Sequence, residues 1–346
     1  MKVGVFGNIG VGKSTLCRAL AGGGGAAAKG QASGICTIRV PDERVDRLGE
    51  IYRPKKITHL SMTFEDIDPA EGELLPAETL ARIKGVDVLA LVLRGFSDDF
   101  HPPPPGGIDP VKEFRAIESE LTVSDYLIAQ KRIERMIKEA RRDAEWTTLQ
   151  KAIAFLEKET PLRRVAFTGE EFRILSGFRF VSRLPLLLVL NVNEADLSAM
   201  TYPELDGFAA GRGVPLIRLS ARIEEEISQL SKAEQSDFLK EMNIDRPATD
   251  QLIRGAFSAM DHICFLTVGD EEVRAWTVPR GATALSAAGR IHSDMEKGFI
   301  RAEVIAFEDF RRCGTMAKAK SEGKLRLEGK EYVVQEGDIL HIRFNV

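Results

Sequence analysis

The chain has 346 residues, 44% hydrophobic and 29% charged, with a formal net charge of −4 at pH 7. That length holds two or three domains with ample core, and the mild acidity excludes any global pull toward nucleic acid, leaving only local patches. No apolar run approaches the ~18 residues of a spanning helix, and Cys17, Cys36, Cys264 and Cys313 stand far apart without a CxxC pair, which argues against zinc and disulfides and for a reducing compartment. The N-terminus runs straight into a strand pattern, so no signal peptide is expected and the cytoplasm is the expected location.

In chain order, an apolar strand candidate, Val3–Phe6, leads into Gly7-Asn8-Ile9-Gly10-Val11-Gly12-Lys13-Ser14-Thr15, and a helix pattern follows from Leu16. This is GxxxxGK[ST] in its strand–turn–helix setting. Such a loop wraps phosphate with backbone N–H groups at a helix N-terminus. Lys13 is expected to reach the β- and γ-phosphates as the catalytic cation, and Ser14 to hold Mg²⁺. Residues 8–15 are therefore the expected phosphate site for a nucleoside di- or triphosphate. Further strands are expected at Ile35–Val40, Ser61–Asp66 and Val86–Leu93, with a helix at Ala77–Ile83. The alternation predicts an α/β domain around a parallel sheet. Residues 22–34 and the Pro102–Gly107 stretch read as mobile loops. Asp66, ending a strand, is the expected second Mg²⁺ ligand; the alternative is that it caps a helix.

From Val111 to Thr160 the period becomes helical. Tyr126, Ala129, Ile133, Met136 or Ile137, Ala140 and Ala144 mark one helix, and Trp146, Leu149, Ile153 and Leu156 mark a second. Two long helices folded back as a hairpin are expected, inserted into the α/β domain. The sheet resumes with the apolar run Leu184–Leu190, as a strand buried on both faces should read, then with Val214–Leu219; a mostly helical stretch, Ala221–Leu239, follows. The loops after these two strands are the expected base site, Asn191-Val192-Asn193-Glu194 and Ser220-Ala221-Arg222. From about Asp261, six strand patterns (263–268, 273–278, 300–307, 324–327, 332–334 and 339–344) surround one helix, Ala284–Met295, as a small α+β module.

Five segments resemble the YchF-type Obg-like ATPase family: GNIGVGKST at 7–15, PDERVDRL at 41–48, FEDI at 64–67, NVNE at 191–194, and the run from Val273 to Val346. The resemblance spans nearly the whole chain. It implies a Ras-like P-loop NTPase domain (1–110 and 165–260), a helical hairpin insertion (111–164) and a C-terminal ubiquitin-like, β-grasp TGS domain (261–346). It also implies ATP over GTP as the nucleotide, with Mg²⁺, because Asn191 and Glu194 match the family's NxxE in place of the guanine-reading NKxD.

The departures bear on mechanism. The family's DxxG reads Asp66-Ile67-Asp68-Pro69, and proline has no N–H to give a γ-phosphate. The glycine-rich segment behind it is largely missing, and Gly10 stands where relatives carry an asparagine tied to potassium, so no potassium activation is expected. Thr37 lies in a switch-like Cys-Thr-Ile, its reach to the metal open. His101 matches a family histidine that positions water; a solvent histidine beside a proline run is the equal alternative. Lys131, Arg132, Arg135, Lys138, Arg141 and Arg142 form a basic run on the hairpin, either a solvated face or a phosphate contact with RNA on the ribosome. Two functions follow from these residues: an ATPase switch, or a nucleotide-dependent binding module with little hydrolysis.

Overall fold

The computed structural model describes residues 1–23, 34–69, 74–98, 102–103, 106–197, 202–242 and 246–345. Its first half runs β1 (Lys2–Phe6), α1 (Lys13–Gly23), β2 (Ile35–Arg39), α2 (Glu43–Tyr52), β3 (Lys56–Thr58), β4 (Ser61–Ile67), α3 (Ala77–Ile83), β5 (Val88–Gly95), α4 (Pro110–Lys138) and α5 (Ala144–Leu156). Then come α6 (Gly169–Ser176), β6 (Leu186–Val192), α7 (Pro203–Arg212), β7 (Leu216–Leu219), α8 (Ala221–Ser228), α9 (Lys232–Glu241) and α10 (Ala248–Met260). The C-terminal stretch holds β8 (His262–Thr267), β9 (Glu272–Pro279), α11 (Ala284–Ile291), α12 (Ser293–Lys297), β10 (Phe299–Ala306), α13 (Phe307–Cys313), α14 (Met316–Ser321), β11 (Arg326–Glu328) and β12 (Asp338–Phe344). Two compact units result, 1–38 with 63–259 and 39–62 with 260–346.

In the first unit a six-stranded sheet runs β2-β4-β1-β5-β6-β7. Strand β1 pairs in parallel with β4 and β5, β5 with β6, and β6 with β7. The hydrogen bond from Asp66 N to Gly34 O and the Thr37–Thr63 contact run in opposite senses, so β2 is an antiparallel edge. Every residue of β5 and β6 is buried, which is why both read as unbroken apolar runs. One face of the sheet packs Phe6, Leu89, Leu91 and Leu188 against Phe114, Ile117 and Leu121 of α4. This is the Ras-like α/β fold expected from the sequence.

The hairpin is α4 and α5, whose cluster includes Ala129, Met136, Trp146, Leu149, Ala152 and Leu156. Helix α4 stops at Lys138, and Ala140 turns the chain at φ 53°. Ala140 and Ala144 therefore sit exposed at the turn instead of in the packed stripe. Asp143 caps α5, accepting from Glu145 N and Trp146 N, a standard N-terminal stop for orphan donors.

The second unit's sheet runs β11-β10-β12-β8-β9-β3. Its sixth strand is β3, from residues 56–58, not the expected 332–334, where Val333 makes only a single bridge to Thr283. The helix expected at 284–295 is broken at His292, whose ring accepts from Asp294 N at 3.2 Å and starts α12. Phe307, read as a strand end, begins α13, because its ring is needed in the cluster with Val45, Leu48, Leu266 and Phe310. Val45 and Leu48 come from α2, so by packing residues 39–62 belong with the C-terminal unit. The PDERVDRL segment explains this attachment. Asp42 caps α2 and pairs with Arg44 at 2.8 Å; Arg44 reaches Glu336 at 2.6 Å, and Glu336 accepts from Cys264 N at 2.7 Å. Among the described residues, no helix is long and apolar enough to cross a membrane.

Candidate functional site

The loop between β1 and α1 depends on glycine at two positions. Gly10 and Gly12 adopt φ of 78° and 93°, where side chains are disfavoured. A Cβ on Gly12 would also fall 2.3 Å from Asn191 Nδ2. Lys13, the first residue of α1, is 4% exposed and donates from Nζ to Asn8 O at 2.9 Å. Its charge is met by Asp68 Oδ1 at 3.2 Å, on a side chain that is 65% exposed. Ile9 stands out at the loop tip.

Ser14 Oγ donates to Asp66 Oδ2 at 2.7 Å, joining the first turn of α1 to the end of β4. Asp66 is buried, and its Oδ1 has no hydrogen-bond partner among the described residues. Burial first, then repulsion by Asp68, pushes the Asp66 carboxyl above its ordinary value, against the lowering hydrogen bond from Ser14. A buried carboxylate oxygen without a donor, beside a serine hydroxyl, is a donor set a hard cation satisfies. Ser14 and Asp66 therefore fit Mg²⁺, whose other ligands come from phosphate and water. Asp66 does not serve as a helix cap. Among the described residues no cluster of three or more His, Cys, Asp or Glu forms a metal cage. Thr37 is elsewhere: its hydroxyl contacts Thr63, which aligns with Lys2 at the start of β1, away from the loop.

Asn191, buried at the end of β6, has a connecting role. Its Nδ2 donates to Val11 O at 2.9 Å, and its Oδ1 accepts from Ala221 N at 2.9 Å. The phosphate loop, the loop after β6 and the start of α8 are thus held together by one side chain. Ser220 is buried just before α8, and Arg222 projects 89% exposed with Glu226 at 3.4 Å. Glu194 is exposed on a short turn. Val192 differs from its assignment: its side chain lies in the hydrophobic cluster of the sheet, because adjacent strand residues point to opposite faces. Only its backbone can meet a base.

Sequence reading missed Glu113 and the pairing role of Asp68. Glu113, in the first turn of α4, accepts from Asn8 Nδ2 at 2.9 Å and from Arg94 N at 2.9 Å. Burial raises its carboxyl against these bonds. A cavity of about 460 Å³ opens there, lined by Asn8, Ile9 and Val11 of the loop and by Asp109, Lys112 and Glu113. Arg94 donates to Phe96 O and Pro102 O. Between these lies His101, outside the described residues, as is most of the 22–34 loop.

The "Ribosome-binding ATPase YchF" of Bacillus subtilis is 39% identical over 367 residues, covering 100% of both chains. The chain belongs to the YchF family. The YchF protein of the same printed name from Escherichia coli O157:H7 is 34% identical, over 100% of this chain and 99% of that one. Residues 262–345 match the YchF GTPase C-terminal family, described as a protein of unknown function, DUF933. The solved Schizosaccharomyces pombe YchF GTPase superposes with a TM-score of 0.85 at 29% identity, over 99% of this chain and 97% of that one.

In this YchF-family chain the basic run of the hairpin is largely internally paired. Arg132 meets Glu145 at 2.7 Å, Arg135 meets Glu139 at 2.8 Å, and Arg141 meets Asp143 at 2.6 Å. Arg142 lies over the Trp146 ring at 4.7 Å. Lys131, Lys138 and Arg142 have no ion-pair partner among the described residues.

Proposed function

We propose that this chain binds Mg-ATP in preference to GTP, hydrolyses it slowly to ADP and phosphate, and acts as a nucleotide-dependent switch on the ribosome in the cytoplasm. One observation carries the nucleotide assignment: Lys13, the Ser14–Asp66 pair and Asn191 converge at the C-terminal ends of the parallel strands. Ligands of open α/β sheets bind at that edge. Residues 8–15 would wrap the phosphates, Lys13 would meet β- and γ-oxygens, and Ser14 with Asp66 would hold Mg²⁺, which neutralises phosphate charge when bound. Asn191, Val192 (through its backbone), Glu194, Ser220, Ala221 and Arg222 would frame the base. In hydrolysis a water oxygen bonds to the γ-phosphorus, the bond to the β–γ bridging oxygen breaks with its pair left on ADP, and the water's proton leaves with phosphate. His101 is our candidate for positioning that water. The ribosome as partner is supported by the printed names of the bacterial relatives. We assign its contact to the hairpin and to the C-terminal unit, read as the TGS domain; Lys131, Lys138 and Arg142, which carry no ion pair among the described residues, are the hairpin cations we assign to RNA phosphates.

The second reading, a binding module with little hydrolysis, is favoured by Pro69, which removes one γ-phosphate donor from the switch. Single-turnover hydrolysis measured beside ATP affinity separates the two: tight binding with a rate indistinguishable from free ATP supports the module. Lys13→Ala is expected to abolish ATP binding at the loop, or its hydrolysis, while the chain stays folded, since the loop's shape depends on its glycines. An unchanged affinity and rate in that variant would refute the phosphate-loop assignment.

A further inference from the structure

At the opposite end of the sheet from the phosphate loop lies a cavity of about 440 Å³, bordered by the start of β6 (Leu186) and by Val214 before β7. Seven residues of β6 separate the two ends, about 20 Å. Four guanidinium groups line this cavity, those of Arg163, Arg164, Arg183 and Arg212, together with the single carboxylate of Glu118. Glu118 bonds Arg163 and sits 3.5 Å from Arg212. Arg164 and Arg183 have no ion-pair partner among the described residues. Asp125, the carboxylate whose charge acts on Arg183, accepts from Val181 N and Ser182 N at 2.9 and 2.7 Å. Arg115, beyond Arg212, is paired with Glu204.

The guanidiniums are held in place. Arg212 lies over the Phe208 ring at 3.6 Å, Arg183 over Phe172 at 4.2 Å, and Arg163 donates to Ser182 O at 3.3 Å. Such stacking fixes the planar fork that pairs bidentately with phosphate. Burial and mutual repulsion lower Arg163, to about 10, and also Arg212, while burial lowers Arg183. Each of these cations would be relieved by an added anion.

We infer that this cavity is a second anion site, separate from the nucleotide site, that takes a small oligophosphate-bearing molecule. The concavity and size match small-ligand sites, and three guanidiniums beyond the one neutralised by Glu118 call for two or more phosphate groups. A nucleic-acid backbone would need an extended track, whereas about 440 Å³ holds a small ligand.

The test is calorimetric titration of tripolyphosphate into the full chain, once with one equivalent of a non-hydrolysable Mg-ATP analogue in the phosphate loop and once in Lys13→Ala. One binding event is expected to survive in both. Arg164→Gln and Arg183→Gln, with ATP affinity unchanged as the folding control, should each weaken it about tenfold, ~1.4 kcal/mol. Glu118→Gln should tighten it, and Arg164→Gln decides the matter alone if that variant does not fold. No residual binding, or binding indifferent to Arg164 and Arg183, overturns the site. So does a single-stranded RNA oligomer that binds in an Arg164-dependent way where tripolyphosphate does not.

Discussion

Lys13 meets Asp68 at 3.2 Å, so a triphosphate entering the loop must draw that cation away from a carboxylate. Because Asp68 is largely exposed, the pair is worth about 0.5–1 kcal/mol. Asp68→Asn should therefore raise ATP affinity two- to fivefold by calorimetry, about the same free energy; a weakened affinity would mean that Asp68 helps to hold the nucleotide. The phosphate loop was legible in the sequence because its chemistry is local, nine consecutive residues whose glycines set the backbone. Asp68 and Glu113 were not legible in these roles. Their partners, Lys13 and Asn8, stand 55 and 105 residues away, and only the packing of α4 and β4 beside β1 brings them together. Val192 shows the opposite limit: it lies within the motif read from the sequence, but strand alternation turns its side chain into the core.

At the level of elements, two buried polar side chains tie the nucleotide edge together. Asn191 joins the phosphate loop to the start of α8 through Val11 O and Ala221 N. Asn191→Ala leaves a buried acceptor and a buried donor without partners, so a loss of about 2–4 kcal/mol is expected. Urea unfolding checks this, and a loss below 0.5 kcal/mol, roughly a surface value, would remove the asparagine from that role. Glu224 of α8 accepts from Ala248 N at 2.8 Å at the start of α10, and burial pushes its carboxyl up to about 7. Between the ordinary value near 4.5 and about 7, the folded state keeps a proton that the unfolded chain has lost. Stability therefore falls as pH rises through that window and levels off above it. Glu224→Gln keeps an acceptor and does not ionise, so by pH 8 it should be favoured over the parent by on the order of 3 kcal/mol. The difference should vanish near pH 4; a difference independent of pH would contradict this. The elements themselves were legible where burial is two-sided, as in β5 and β6. Short pieces such as β3 and the 332–334 bridge were not, because a three-residue strand carries too little periodicity to be told from loop.

For the whole molecule, the sequence reading divided the chain into an NTPase domain, a hairpin insertion and a C-terminal domain, and did not show the route of the chain between the two compact units. Residues 39–62 leave the first unit after β2, contribute α2 and β3 to the second, and return along β4. The signal was present in PDERVDRL, whose Asp42, Arg44, Val45 and Leu48 serve the C-terminal unit, but a charged helix start does not reveal which core it joins. In the proposed function, the strand ends of the first unit hold a phosphate loop, a magnesium pair and an adenine-accepting base loop as one nucleotide site. Calorimetric titration of the full chain with Mg-ATP and Mg-GTP tests this most directly. The phosphate-loop site is expected to bind ATP about tenfold more tightly than GTP, the scale of one mispaired polar contact at ~1.4 kcal/mol. Equal affinities, or a preference for GTP, would contradict it.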